Sequence, residues 1–445
     1  MSGGSPGPVL DQSRPDRSQA PRLALTSRTP VYAMLAANAI SLSGNVLANV
    51  AIPWYVLETT GSGTRTGIVA AASLVPMMVA AVLGGGLVDR HDRRRLSIAA
   101  DVLSGLSVVL IPLLAMTVGL PFWTLLVLVG AGSLFDVPGG TARLVLFPEN
   151  AERAGIPLER ANAWYQAVSR AAQLAGPPLA GITIALVGAG NALWLNAASF
   201  AFSAALFSVA VPASDAVKTS DTTVQGADPP TGSYLRELRE GLAILLGDRL
   251  LTLLTWTISV TNLLDAALAS VVVPIFVRRT YGEGASAELG LVFGAFGAGS
   301  LLGSLAFGMV GPRLPRRATY LVAFNGVALL TCAFAVLPPL GALLAIRFAA
   351  GLLAAPINPL LLTTFQDRIA PEARGRVYGL LTAGVLAGSP VGVLVAGTAV
   401  DGLGLRPVLA AIGITYVTCT LVMALHPASA GLRRPDLSRA PAPAA

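Results

Sequence analysis

GGGLVDRHDRRRL, residues 84–96, gathers four arginines, two aspartates and a histidine into thirteen positions. Charge is scarce on both sides of it: residues 66–83 carry none, and residues 97–118 carry only Asp101. About 20 apolar residues are enough to cross the roughly 30 Å hydrocarbon layer of a bilayer as a helix. The charged island therefore reads as the loop between two membrane spans. The same alternation runs along the 445-residue chain, which is 54% hydrophobic and 12% charged, with a mean hydropathy of +0.70. Ordinary soluble domains carry about 25% charged residues. The fold class expected is all-α integral membrane.

Working outward from that loop, apolar runs between charge clusters and Pro/Gly breaks predict six spans at 31–58, 66–88, 96–118, 121–144, 161–187 and 190–211. Six more follow at 249–278, 286–308, 318–337, 339–365, 375–400 and 404–425. The chain thus divides into bundles over 31–211 and 249–426. Residues 1–30, rich in Pro, Ser and Arg, have no apolar core of a signal peptide and are expected to form a disordered cytoplasmic tail, as are residues 427–445. Between the bundles, residues 212–248 read as a polar cytoplasmic linker. It includes an amphipathic helix, read from YLRELREGLAILLGDRL, either lying on the membrane surface or serving as a solvated connection.

The formal net charge is +7, and it comes from arginines, the single lysine being Lys218. The arginines sit in short loops, which points to membrane orientation and away from a nucleic-acid partner. Arg90, Arg93, Arg94, Arg95, Arg153, Arg160, Arg236, Arg239, Arg313, Arg316, Arg317, Arg368, Arg374 and Arg376 fall on the side of the amino terminus. The other side has chiefly Arg65, Arg278, Arg279 and Arg406. Positive loops stay in the cytoplasm, so both termini are expected there. Cys332, Cys419, His91 and His426 are scattered, and no disulfide framework, metal site or cofactor site is implied. No phosphate-binding loop surrounds Lys218, and no His, Cys or paired-carboxylate constellation supports catalysis.

The two bundles look related. GGGLVDRHDRRR after the second span has a worn counterpart, GMVGPRLPRR, after the eighth, and LAGPPLAG in the fifth echoes LAGSPVGV in the eleventh. Internally repeated transporters place their site between the halves near midplane. Gly85, Asp89, Arg90, Arg93 and Arg94 spell G-x-x-x-D-R-x-x-R-R, which resembles the loop signature of the major facilitator superfamily between its second and third helices. Asp92 stands where that family usually has glycine. Further stretches resemble the drug-exporter branch that includes macrolide-efflux-like carriers. They are AIPWYVLETTGSGTRTGIVAA, ERANAWYQAVSRAAQLAGPPLAG, ELGLVFGAFGAGSLLGSLAFG and PEARGRVYGL.

The resemblance implies twelve helices in two pseudo-symmetric bundles of six. It also implies a conformational latch at Gly85, Asp89, Arg90, Arg93, Arg94 and Asp101, the alternative being that the arginines only anchor orientation. Gly176, Pro177, Pro178 and Gly181 resemble the family's antiporter motif in the fifth helix, although helix packing and kinking alone can account for them.

Spacing supplies the remaining candidates. Asn38, Ser41, Asn45 and Asn49 lie on one face of the first span, and Thr255, Ser259, Asn262 and Asp265 repeat the stripe in the seventh. The fourth span has Ser133, Asp136 and Arg143, and the tenth has Arg347, Gly351 and Asn358. The resemblance makes these four spans the lining of the central cavity. Asn38, Asn45, Asn49, Asn262, Arg347 and Asn358 are then substrate-cavity candidates, with interhelical hydrogen bonding as the alternative. Asp136 and Asp265, mid-span carboxylates, are the candidates for proton coupling unless paired permanently with Arg143 or Arg170. The reading reached is a monomeric, proton-coupled exporter of amphipathic organic compounds, working by alternating access in the cell membrane. A dedicated metabolite or siderophore carrier and a non-transporting membrane sensor are the alternatives.

Overall fold

The computed structural model describes residues 27–212, 231–282, 284–370 and 373–432; for 81–87, 89, 90, 231–238, 312, 375, 376, 379, 382, 383 and 386 it describes the backbone alone. Among these residues all regular structure is helical. The first half contains α1 (Thr29–Thr60), α2 (Gly63–Arg90), α3 (Arg93–Thr117), α4 (Phe122–Arg153), α5 (Leu158–Val187) and α6 (Ala189–Ala210). A connecting helix, α7 (Thr231–Gly247), leads to the second half. That half contains α8 (Arg249–Ala267), α9 (Val273–Tyr281), α10 (Ser286–Val310), α11 (Arg316–Ala333), α12 (Leu340–Ala354), α13 (Ile357–Arg368), α14 (Arg374–Ala387), α15 (Ser389–Leu403) and α16 (Leu405–Leu425).

Among the described residues, ten helical segments are long and apolar enough to cross a membrane, counting α8–α9 and α12–α13 as one segment each. Two spans expected from the sequence are not among them. The α5 helix carries Glu159, Arg160, Arg170 and two prolines, and α14–α15 is interrupted at Gly388. Large apolar side chains cover the outside: Val209 is 87% exposed, Leu186 79% and Trp123 75%. A water-soluble surface avoids continuous apolar patches of this kind; hydrocarbon solvates them.

Three spans that the sequence reads as unbroken are interrupted. Residues 339–365 split into α12 and α13 at Pro356, which has no amide for the preceding turn. Residues 375–400 split at Gly388 ahead of Pro390. A π-helical turn, Leu268–Val272, separates α8 from α9. In contrast, α5–α6 and α15–α16 are joined by single glycines of similar conformation: Gly188 (φ 81, ψ 157) and Gly404 (φ 90, ψ 170). Only glycine adopts that region without strain.

Within the first half α1 packs on α5 and α6, α3 on α4 and α6, and α2 on α4; within the second, α10 and α11 pack on α12, and α8 on α15 and α16. Between the halves α2 lies along α15 and α5 along α10. The largest apolar cluster crosses this seam, joining Trp54, Leu57 and Ile184 to Val272, Phe276 and Val400. Toward the arginine-rich face each half has its own cluster, Val31, Met34, Phe147 and Phe207 in one and Leu250, Leu254, Tyr320 and Phe365 in the other. The halves therefore share a core at the face opposite the arginines and separate toward the basic face.

The connecting helix α7 is held to the second half. Leu245 is buried beside Leu250 and Phe365, whereas Leu246 is 62% exposed. Asp248 then caps α8, accepting from the Leu250 and Leu251 amides at 2.7 and 3.3 Å and from Arg368 at 2.6 Å. Burial alone would raise the Asp248 carboxyl, but Arg368 and the two amides outweigh it and hold the group below its ordinary range. A carboxyl held low in the folded chain contributes fully above about pH 4 and loses that contribution as pH falls through its folded value. Asp248→Ala is expected to cost about 1 kcal/mol at neutral pH. The thermal midpoint in micelles should show the loss, and the difference from wild type should shrink in acid.

Candidate functional site

A cavity of about 550 Å³ lies where the halves meet. The first half lines most of it: Asn45 and Asn49 of α1, Ser73 and Met77 of α2, Ser104 of α3, Ser133 and Asp136 of α4, and Asn196 and Phe200 of α6. The second half adds Ala269 and Ser270, from the π-helical turn, and Phe293 of α10. Asn45 donates to Asp136 at 2.9 Å, so the first-span asparagine stripe and the fourth-span carboxylate meet. The wall mixes apolar surface with a few hydrogen-bonding groups, the usual composition of a small-molecule pocket.

Asp265 sits one turn before Ala269 on the same helical face, and its side chain is solvent-accessible. Ala269 lines the cavity, and Asp265 lies one turn away, outside its lining. The buried Tyr416 of α16 donates its hydroxyl to Asp265. The π-helical turn begins just beyond Asp265, and such turns widen a helix locally and recur at functional sites. Arg347 of α12 is 8% exposed and stacks over Phe296, 4.5 Å from the ring centroid, and Phe334, at 5.8 Å. Its Nε has no hydrogen-bond partner. Aromatic faces hold this guanidinium through their quadrupoles.

A second buried cation, in the first half, has a carboxylate partner. Arg143 of α4 donates to Asp101 of α3, and its Nε donates to Ser97 at 3.0 Å; Asp101 and Arg143 are 1% and 5% exposed. The family resemblance groups Asp101 with the loop cluster, whereas in the structure it lies within the first half against Arg143. Removing one partner of a buried pair strands the other charge. Asp101→Ala is expected to lower stability by about 3–5 kcal/mol. The apolar replacement Asp101→Leu with Arg143→Met should recover most of that loss in thermal unfolding.

In the loop cluster, the backbone places Gly85, Asp89 and Arg90 in the last two turns of α2; their side chains lie outside the described residues. Asp92 has φ −59 and ψ 115 and caps α3, accepting the Arg95 amide at 2.8 Å. The usual glycine is thus replaced by a residue that needs no left-handed backbone and starts a helix. Arg93 pairs with Glu149 of α4 at 2.5 Å, and Arg94 donates to the carbonyls of Ser208 and Val211 at the end of α6. These contacts lie within the first half.

Where the halves touch, small residues permit backbone contact. A Cβ added at Gly290 would lie 2.7 Å from the Gly181 Cα, and one at Gly294 would lie 2.8 Å from Pro178 Cγ. Gly176 packs on Val46, and Pro177 lines the cavity. Of the fifth-helix motif, Pro178 and Gly181 thus form the α5–α10 crossing, whereas Gly176 packs against α1. At the same end, Asp401 accepts hydrogen bonds from Ser62, Gly63 and Thr64, each at 2.8 Å. Arg278 donates to the Leu57 carbonyl.

The candidates Asn38, Asn262 and Asn358 are not among the residues lining that cavity. Asn38 donates to Ser169 at 3.3 Å and accepts from Tyr165 at 3.2 Å, and Asn262 bonds its own helix at Ile258. Asn358 is exposed at the start of α13, and Gly351 packs against Phe296 and Ser300 of α10. The sequence reading missed Tyr416 and Asp401. Tyr416 is the one tyrosine of the last span, a clue to a specific partner; Asp401 has no pattern around it.

A family model described as Major Facilitator Superfamily matches residues 34–261 and again 255–444. The multidrug efflux pump Tap of Mycolicibacterium fortuitum is 33% identical over 424 residues, 94% of this chain and 99% of that one. Macrolide efflux protein A of Streptococcus pyogenes is 25% identical over 392 residues, covering 84% and 90% of the two chains. The crystal structure of a D-xylose-proton symporter superposes with a TM-score of 0.66 at 13% identity, over 91% of this chain and 99% of that one. A bacterial homologue of the iron transporter ferroportin, in an inward-facing state, gives 0.63 at 16% identity over 90% and 100%. These structural likenesses speak for the fold, and the sequence matches extend from the first span to the last: the chain belongs to the Major Facilitator Superfamily.

Proposed function

We propose that the chain is a proton-coupled exporter of amphipathic organic compounds, drugs or antibiotics among them, acting as a monomer in the cell membrane. Relatives named for multidrug and macrolide efflux match it over most of their length. The observation that carries the reading is the mixed cavity between the halves, with Asp136 in its wall and Asp265 one helical turn from Ala269, which also lines it. The arginine excess on one face supports placing that face, and both termini, in the cytoplasm. The Asp401 end then faces outward, and the cleft receives substrate from the cell interior. After the halves rock, a carboxylate meets outer water and takes a proton as substrate departs. It releases the proton inside once the cleft has turned back. A membrane potential of 100 mV supplies about 2.3 kcal/mol for each charge moved.

The test is accumulation of a fluorescent amphipathic dye in everted vesicles containing the chain. Accumulation that stops when a protonophore collapses the pH gradient is expected. Dye that binds but never accumulates against a gradient would overturn the reading.

A further inference from the structure

The turn between α1 and α2, Gly61–Ser62, is gripped from the second half by two opposite charges. Ser62 already caps α2, accepting the Arg65 amide at 3.2 Å. Asp401, at the end of α15, adds a carboxylate at the same terminus: Oδ1 accepts the Gly63 amide, and Oδ2 accepts the Thr64 amide and the Ser62 hydroxyl, all at 2.8 Å. Arg278, from the last turn of α9, donates to the Leu57 carbonyl at the end of α1. The second half therefore sets an anion on the positive end of one helix and a cation on the negative end of the helix before it, both charges matching the dipoles. Below the turn, α2 and α15 are in backbone contact at Gly63, Gly67, Val393 and Gly397; a Cβ at Gly67 would come within 2.5 Å of the Val393 carbonyl. At these glycines no side chain separates the two backbones, so the helices stay together or part there without repacking.

We infer that Asp401, with Arg278, is a clasp that holds this end of the cleft shut and must release for the other state to form. Asp401 is a gating residue, remote from the cavity that receives the substrate. The inference rests on the export reading for its place in a transport cycle, but the clasp itself can be tested without transport.

Hydrogen–deuterium exchange of the full chain in lipid nanodiscs, read by mass spectrometry, compares wild type with Asp401→Asn, Asp401→Ala and Arg278→Gln. Release of the clasp is expected to raise exchange severalfold at the α1–α2 turn and also at the distant α5–α10 crossing around Gly181 and Gly290. An increase confined to residues 62–66 would overturn the inference, because a purely local helix cap loses only its own amides. Asp401→Asn keeps the side-chain shape and one acceptor oxygen, so it decides the matter if Asp401→Ala does not fold. In everted vesicles, Asp401→Asn should also slow dye accumulation about fivefold. If the wild type fails to accumulate dye, the export reading falls while the exchange result still decides the clasp.

Discussion

Asp265→Asn is expected to leave a folded chain that binds substrate but does not concentrate it. Asparagine keeps the shape of the side chain and can still accept a hydrogen bond from the Tyr416 hydroxyl, yet it cannot take up and release a proton. A cycle that moves one proton fewer across 100 mV loses about 2.3 kcal/mol of driving force. Because 1.4 kcal/mol is a factor of ten, the steady-state accumulation ratio should drop by about 50-fold. Everted vesicles under an imposed gradient measure this ratio directly, and equilibrium dye binding on the same preparation controls for folding. Retained accumulation would remove Asp265 from the coupling role and leave Asp136, tied to Asn45 in the cavity wall, as its carrier.

Gly181→Val is the second large effect expected. The crossing of α5 and α10 leaves no room for a side chain: a Cβ at residue 181 would lie 2.8 Å from the Ser286 carbonyl oxygen, and the Gly290 backbone is nearer still. Valine adds two methyl groups that neither backbone can avoid, so the halves cannot close at that end. Each half keeps its own core toward the basic face, and the chain should still fold. Transport is expected to fall more than tenfold, a bias of about 1.4 kcal/mol or more against one of the two states. Normal turnover by Gly181→Val would mean that this contact is not part of the cycle.

Much of the architecture was legible because a bilayer imposes a length and an apolarity that composition reports directly. The charged boundary within 84–96 follows from those rules, although the structure continues α2 to Arg90 and starts α3 at Arg93, leaving only His91 and Asp92 between them. The stripe of Asn45 and Asn49 was legible for the same reason, since polar groups inside a span need a wet or hydrogen-bonded face. The breaks beside Asp265 and at Gly388 were not, because hydropathy does not register whether a helix continues straight. Pro356 is a partial exception, a known breaker set in a run apolar enough to look continuous.

Pairings between distant residues were the least legible part. Asp101 and Arg143 sit on different spans, and periodicity alone did not say that Arg143 would choose Asp101 over Asp136. Asp401 drew no attention in the sequence, because its partners lie more than 330 positions earlier. Asp92 stands where the family usually has glycine, and the local rule that aspartate starts helices accounts for it.

The measurement that bears most directly on the whole account is the sidedness of the cavity. Asn49→Cys places a thiol in the cavity wall, and an impermeant maleimide can be offered from either face of oriented vesicles, with labelling read on the peptide that carries residue 49. At rest, labelling from the basic face alone is expected, shifting toward the opposite face when substrate and a proton gradient drive the cycle. Simultaneous labelling from both faces, or no change under drive, would contradict a cleft that opens to one side at a time.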